Sequence, residues 1–191
     1  NLINQTDITY STHTGSVEHK LLAGAEFAAQ NTDNKRLTPT GGENLTGNFS
    51  VADPTTSNVA FTTTSRNQTS DFTVAAFYLQ DQIVFNPHWQ AIVGLRHDHL
   101  ETRYSDLRAG NNINVSNNLL SPRAGLIYKP TENSSLYANY STSYVPRAGD
   151  QLIGLTIPAG ASQPFKPEKF INKEIGAKWD VTQNLSLTAA V

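Results

Sequence analysis

Apolar and polar residues alternate along much of the chain with a period of two. The clearest case is Asp71–Tyr104, where the segments DFTVAAFYLQDQIVF and QAIVGLRHDHLETRY flank the short connection NPHW. Such alternation indicates extended strands, because successive side chains point to opposite faces. Asn86–Pro87 favours a turn. The stretch therefore predicts an antiparallel hairpin with strands of roughly 14–16 residues, longer than the usual five or six.

The same alternation predicts about eight strands in up-and-down antiparallel order. Their connections alternate in length. Short turns are predicted at 13–16, 86–89, 130–133 and 181–183. Longer loops are predicted at Asn31–Thr69, Ser105–Asn118 and Pro146–Glu168. All short turns would then lie at one edge of the sheet and all long loops at the other.

The two faces of the predicted sheet differ in polarity. One carries charged residues, namely Arg96, Asp98, Arg123, Glu174 and Lys178. The other carries apolar residues, among them Val93, Leu95, Leu126, Tyr140, Ile175 and Trp179. In the strand before Asn86, Phe77 shares a face with Leu79 and Asp81, and we expect the Phe77 face to point outward.

This combination is typical of a transmembrane β-barrel, which has an apolar outside, a polar lumen, short turns at one end and long loops at the other. A soluble β-sandwich also alternates, but its strands are shorter and its loops are not sorted by length. We therefore predict an all-β fold, an antiparallel up-and-down segment of about eight strands from a larger transmembrane β-barrel.

Composition agrees with this interpretation. The mean hydropathy of −0.40 is low for a domain that buries a large interior. The absence of cysteine excludes a disulfide framework and thiolate metal sites. No apolar run approaches the roughly 18–20 residues of a transmembrane helix, which strand-based spans do not need. A net charge of −2 gives no indication of nucleic-acid binding.

No catalytic or metal-binding motif stands out. His97 and His99 would point to the same side of a strand, an arrangement that metal sites use, but no third ligand is visible and we interpret them as interfacial histidines. No Ser/His/Asp arrangement in a nucleophile-elbow context is found. The sequence therefore favours binding or transport over catalysis, and neither a metal site nor a cofactor is predicted.

Four segments resemble the barrel of TonB-dependent siderophore receptors. They are TDITYSTHTGSVEHKLLAGAE, AFYLQDQIVFNPHWQAIVGLRHDHLETRY, SPRAGLIYKPTENSSLYANYSTSYVPRAGDQL and FKPEKFINKEIGAKWD. Their order and spacing extend the resemblance over nearly the whole chain. Within the family, YVPRAGDQL is most similar to catecholate-type receptors.

The resemblance implies a barrel of about 22 strands with a plugged lumen. It also implies energised uptake of ferric siderophores across the bacterial outer membrane. Residues 1–191 would be part of the barrel domain, with an N-terminal plug and C-terminal strands lying outside them. The ferric siderophore is the transported ligand, outer-membrane lipid surrounds the barrel, and the plug engages the TonB complex. The alternatives are a passive porin, an adhesin or an outer-membrane enzyme barrel.

Two residue sets follow from this resemblance. Residues where strands meet long loops are candidate ligand contacts at the extracellular rim, because arginine offers a charged fork and tyrosine an aromatic face for an anionic, planar chelate. They are Arg103, Tyr104, Arg108, Tyr144 and Arg147. The alternative for these residues is an aromatic girdle with solvated charges. The charged face, Arg96, Asp98, Arg123, Glu174 and Lys178, is predicted to contact the plug in the lumen.

Overall fold

A computed structural model describes residues 1–39, 60–146 and 166–191. They form one eight-stranded antiparallel sheet in which every strand pairs with its sequence neighbours, so the predicted all-β, up-and-down order is confirmed. The strands are β1 (Leu2–Thr14), β2 (Val17–Pro39), β3 (Phe61–Val84), β4 (Trp89–Asp106), β5 (Asn111–Thr131), β6 (Ser134–Val145), β7 (Glu168–Thr182) and β8 (Leu185–Ala190). Within the described ranges, no helix has the length and apolarity required to cross a membrane.

The strand register divides the sheet into two faces, because directly paired residues lie on the same side. We call the face of Arg96, which pairs with Tyr78 and Ser121, the inner face. The opposite face, which carries Leu95, is the outer face. Following the register across the sheet places all five predicted charged residues, Arg96, Asp98, Arg123, Glu174 and Lys178, on the inner face.

Apolar side chains on the outer face are exposed, whereas the buried apolar residues lie on the inner face. Leu95 is 46% exposed and Ile175 is 67% exposed, but Ala76, Leu100 and Tyr104 are buried. Phe77 also lies on the outer face, as predicted, and packs edge-to-face against Phe27 with ring centroids 6.1 Å apart. The sheet thus exposes an apolar surface that no described residue covers, which is the arrangement of a wall facing lipid.

Aromatic residues mark the short-turn edge of this outer face. Trp89 stacks on Tyr128 with ring centroids 4.6 Å apart. Tyr10 and Trp179 are also on the outer face, close to the first and last short turns. Aromatic residues of this kind form the girdles at membrane interfaces. Outward-facing apolar residues continue from this edge, up to Leu95 on β4.

The strands are longer than the sequence predicted. Asn31–Thr69 was expected to be a loop, but β2 continues to Pro39 and β3 begins at Phe61. The pairing extends because polar side chains hold it across the strands, as in the 2.7 Å hydrogen bond from Asn31 to Asp71. Apolar alternation stops in this region, since both faces are polar there, and the pattern therefore gave no signal of strand. Residues 40–59 lie outside the described ranges.

The loop predicted at Ser105–Asn118 is also wrong. β4 and β5 pair up to Asp106 and Asn111, which leaves a turn of four residues. Ile113 and Val115 lie on the inner face and alternate with the outward-facing polar residues Asn112, Asn114 and Ser116, so this segment does alternate. The third predicted loop, Pro146–Glu168, agrees with the end of β6 at Val145, although Glu168 already belongs to β7. Most of it lies outside the described residues.

The β4–β5 turn is stabilised by Asp106. Its carboxylate accepts hydrogen bonds of 3.0 Å from the backbone N–H groups of Arg108 and Ala109. Gly110 has φ near +72°, a left-handed conformation that glycine adopts without strain. Burial alone would raise the pKa of Asp106, but the hydrogen bonds from Ala109 and Arg108 outweigh it and hold the pKa below its ordinary value.

Replacing Asp106 by alanine should loosen this turn. We expect hydrogen exchange of the turn amides to accelerate about fivefold at neutral pH, which corresponds to roughly 1 kcal/mol for the exposed hydrogen bonds. Because the folded-state pKa is lowered, the carboxylate contributes fully above its unfolded pKa of about 3.9, and the contribution is lost as the pH falls through the lowered value. Asp106→Asn keeps an acceptor oxygen and is the control. Equal exchange in wild type and Asp106→Ala would contradict the assignment.

β5 and β6 separate in the half of the sheet that is nearer the long connections, here called the upper half. Their described pairing ends at Arg123 and Ser141. Above this point β5 continues to pair only with β4, and β6 only with β7, up to Val145. Pro122, which precedes Arg123 on β5, is the first residue beyond the last β5–β6 pair, and it has no N–H to donate to a ladder. The separation opens a cleft on the long-connection side of the sheet.

Candidate functional site

Arg96 is the centre of an ionic cluster on the inner face. Its guanidinium lies 2.9 Å from a carboxylate oxygen of Glu26 and 2.7 Å from one of Asp98. Asp98 is two residues along the same strand, so both side chains point to the same side. Glu26 comes from β2, two strands away. Ala76 of β3 pairs with both acidic residues and is fully buried beneath the cluster.

Because the Ala76 side chain is small, side chains of β2 and β4 can contact each other across β3. A larger residue at that position would stand between Glu26 and Arg96. The Arg96 guanidinium also lies over the ring of Tyr78, 5.5 Å from its centroid. Arg96 therefore has two carboxylates and an aromatic face as neighbours, which fixes its position on the inner face.

Tyr78 extends the cluster to β1. It pairs with Gly24, and a Cβ atom at residue 24 would overlap the Tyr78 ring. The ring thus crosses β2 over the glycine, and its hydroxyl donates a hydrogen bond to Asp7 while accepting one of 2.9 Å from Gln5. Glycine within a strand often marks such a close approach.

A second tyrosine–glycine pair lies on β6 and β7. Tyr137 pairs with Gly176, and a Cβ atom at residue 176 would overlap its ring. The Tyr137 hydroxyl interacts with the Glu174 carboxylate, and the Lys178 ammonium lies 5.8 Å from the ring centroid. The five charged residues predicted to share a surface therefore form two groups, one around Tyr78 and Arg96 and the other around Tyr137.

A cavity of about 490 Å³ opens on the inner face where β5 and β6 separate. Its charged lining consists of Glu26, Arg96, Asp98 and Arg123. Phe72, Val74, Leu100 and Leu119 supply an apolar wall, and Ser121, Ser141 and Ser143 supply hydroxyl groups. The volume lies within the range of about 300–1,000 Å³ that is typical of ligand pockets. Glu26 and Asp98 are paired with Arg96, so the charges of the lining balance, and Arg123 is the arginine outside these ion pairs. Arg123 beside an apolar wall suits an anionic group on a ligand that also has planar apolar parts.

The structure does not bring the predicted rim residues together. Tyr104 lies buried on the inner face, whereas the Arg103 side chain is 70% exposed on the outer face beside Glu101. Consecutive residues of a strand point to opposite sides, and β4 extends through both. Arg108 belongs to the β4–β5 turn.

Tyr144 borders the cavity at the end of β6, but its register partner is Lys169, whose ammonium lies 6.0 Å from the Tyr144 ring centroid on the outer face. Arg147 lies outside the described residues. The rim set thus divides between the two faces. Sequence reasoning missed Glu26, Tyr78 and Gly24, for which the signal was a glycine inside the strand LLAGAEF.

His97 and His99 share one face, as a spacing of two residues requires, and this is the outer face. His97 pairs with Phe77 and Leu120, and His99 lies 2.9 Å from the Asn118 side-chain oxygen and 3.5 Å from Glu101. Among the residues that the structure describes, no group of three or more histidine, cysteine or acidic side chains could hold a metal ion.

Comparisons with known proteins match this architecture. The family described as TonB dependent receptor-like, beta-barrel matches residues 1–191. The chain is 31% identical to the probable TonB-dependent siderophore receptor PiuA of Acinetobacter baumannii over 98% of its length, and 28% identical to the catecholate siderophore receptor Fiu of Escherichia coli K12 over its whole length. It spans 28% of the length of each. The crystal structure of PiuA superposes with a TM-score of 0.76 at 29% identity, over 98% of this chain and 30% of that one.

Proposed function

Because the chain belongs to the family of TonB dependent receptor-like β-barrels, we propose that it forms part of the wall of a receptor that imports ferric siderophores. The protein is located in the bacterial outer membrane, and its family consists of transport receptors rather than enzymes. Residues 1–191 supply eight strands of the barrel. The plug, the contact with the TonB complex and the closing strands belong to the rest of the receptor in this proposal.

The two faces of the sheet support this arrangement. The exposed apolar outer face meets lipid, and the inner face lines a hydrated lumen, where charged side chains are tolerated. In this proposal the plug contacts the charged inner-face residues Arg96, Asp98, Arg123, Glu174 and Lys178. Arg96 and Asp98 are held by the Glu26–Tyr78 cluster, while Glu174 and Lys178 are held by Tyr137.

We place the ligand contact at the inner-face cavity. Arg123, which lies outside the ion pairs that Arg96 makes with Glu26 and Asp98, stands beside an apolar wall, and this juxtaposition is the observation that carries the proposal. The wall consists of Phe72, Val74, Leu100 and Leu119. A ferric siderophore complex is often anionic and rich in planar groups, so charge and an apolar face in one pocket suit it. The similarity to a catecholate siderophore receptor favours a catecholate-type ligand.

The predicted rim residues differ in how well their positions suit contact with a ligand in the lumen. Tyr104 has an inner-face position beyond the cavity, but its side chain is buried, so contact with a ligand stays a prediction. Contact by Arg108 and Arg147 stays a prediction. Arg103 has an outer-face register position and would not reach a ligand held in the lumen. Tyr144 pairs with Lys169 on the outer face but also borders the cavity, so its contact with the ligand stays a prediction.

The test is a double variant, Arg96→Gln with Arg123→Gln, in the full-length receptor. Partly exposed charge contacts contribute up to about 1 kcal/mol each, so we expect the dissociation constant for the ferric chelate to rise roughly 10- to 30-fold. Binding is measured by intrinsic tryptophan fluorescence, with a catecholate complex of iron as the probe. Arg103→Gln removes an arginine from the outer face of the same sheet and is the matched control.

Unchanged affinity in the double variant, or the same loss in Arg103→Gln, would remove the cavity from the ligand path. Heat-modifiable migration in gels establishes whether each variant has assembled its barrel. A full-length protein that binds no ferric chelate but conducts small solutes would be a passive porin instead.

A further inference from the structure

Arg123 is an inner-face arginine whose charge is not neutralised by a neighbouring carboxylate. Within the described ranges it takes part in no ion pair, although acidic residues line the cavities that it borders. These acidic residues have other partners. Glu26 and Asp98 bind Arg96, and Asp7 accepts hydrogen bonds from neutral side chains. Because Arg123 is exposed, its charge remains available to a molecule in the lumen.

The Arg123 side chain lies across β4 at Gly94. The two residues are register partners on β5 and β4. A Cβ atom at residue 94 would stand 3.0 Å from Cγ of Arg123 and 3.3 Å from its Cδ. Both distances are shorter than the optimal separation of two carbon atoms, which is about 3.5–4.0 Å. The stem of Arg123 therefore occupies space that a side chain at position 94 would take.

The path over Gly94 leads the Arg123 side chain from β5 toward β3. Gln80 of β3 is the second register partner of Gly94, so the three residues form one row across the inner face. Arg123 borders the cavity of about 490 Å³ and also a neighbouring cavity of about 230 Å³, which Gln80 and Tyr78 line as well. The Arg123 side chain thus stands at the boundary between the two cavities.

Glycine is an unfavourable residue at this position for the strand alone. Gly94 lies in the interior of β4, where a glycine weakens the strand and often marks a place that another group approaches closely. At Gly94 the approaching group is the stem of a charged side chain that has no carboxylate partner within the described ranges. The glycine therefore determines where that charge can lie.

We propose that Gly94 is a positioning residue for ligand binding, which acts through Arg123. By leaving the space above β4 open, it keeps the Arg123 guanidinium at the cavity, where the guanidinium binds an anionic group of the ferric chelate. Gly94 itself does not touch the ligand. This inference rests on the proposed function, because it concerns the placement of the arginine that contacts the ligand there. A side chain at position 94 would displace Arg123 and weaken the attraction for negative charge.

The test measures binding of a ferric tricatecholate, which is anionic, to full-length receptors over a range of salt concentrations. Because exposed charge contacts are weak, Arg123→Gln should raise the dissociation constant about fivefold. Gly94→Val should raise it by a similar factor, and Gly94→Ala, which displaces Arg123 less, about twofold. The salt dependence of binding should decrease in Arg123→Gln and Gly94→Val, because the lost contact is one that salt screens. Gly125→Ala adds a Cβ atom whose nearest neighbour is 3.6 Å away and should leave binding unchanged.

In a background of Arg123→Gln, Gly94→Val should have no further effect, because the side chain that it displaces no longer carries a charge. Heat-modifiable migration shows whether each variant has assembled its barrel. An equal effect of Gly94→Val with and without the Arg123 charge, or an unchanged salt dependence, would overturn the proposal. Wild-type affinity in both Gly94 variants, together with weaker binding by Arg123→Gln, would overturn this inference alone. Wild-type affinity in Arg123→Gln would remove the proposed ligand contact as well.

Discussion

Replacing Leu95 by arginine in the full-length protein is expected to destabilise the folded barrel by about 2–4 kcal/mol. Leu95 lies on the outer face and is 46% exposed. It is six residues above Trp89, which corresponds to about 15 Å along the membrane normal and places it near the middle of the apolar band. A guanidinium at that depth must leave water or distort the bilayer around it.

The control for Leu95→Arg is Gln82→Arg, which adds the same side chain to the inner face of the neighbouring strand. Gln82 shares its face with Gln90, to which it donates a weak 3.4 Å hydrogen bond, so an added charge there stays in the hydrated lumen. Unfolding by guanidinium chloride in lipid vesicles, followed by tryptophan fluorescence, gives both free energies. If Gln82→Arg costs as much as Leu95→Arg, the assignment of the two faces is wrong.

Gly24→Ala is expected to destabilise the protein by about 1–3 kcal/mol, the usual cost of overpacking. The new Cβ atom would occupy space taken by the Tyr78 ring and by the carboxylate of Asp7. Tyr78 would have to rotate away, which breaks its hydrogen bond to Asp7 and its contact with Arg96. The loss should appear in the free energy of unfolding of the full-length receptor in lipid vesicles.

Gly125→Ala is the matched control, since it lies on the same inner face and its Cβ atom would meet its nearest neighbour at 3.6 Å, an ordinary contact. We expect Gly125→Ala to be neutral or slightly stabilising, because alanine restricts the unfolded chain. In a background of Tyr78→Ala, the penalty of Gly24→Ala should largely disappear, because the obstructing ring is absent. Equal penalties with and without the ring would show that the Tyr78–Gly24 contact is not the cause.

The rim set shows how a small error in a strand end alters a site prediction. Arg103 and Tyr104 were grouped because β4 was expected to end there, and loop residues can converge on one ligand. The strand instead continues to Asp106, so the two side chains face opposite sides. The alternation of Ile113 and Val115 with polar residues is the local signal that β4 and β5 continue past Tyr104.

The local pattern of residues was sufficient to predict the number of strands, their order and the two faces. Period-two alternation is a local property, and Leu95 and Arg96 must face opposite sides wherever β4 lies. Short turns between strands make neighbouring strands pair, so up-and-down order also followed from the chain. The charged set that includes Arg96, Arg123 and Glu174 was found for this reason.

How residues from distant strands meet depends on the pairing of the folded sheet. Register determines that Glu26 and Asp98 both pair with Ala76, which brings Arg96 to Glu26 across an intervening strand. Register also places a glycine beneath Tyr78. The separation of β5 from β6 above Arg123, which opens the cavity, depends on where two ladders end. These features are non-local: they depend on pairing between strands, and alternation within one strand carries no information about the partner opposite.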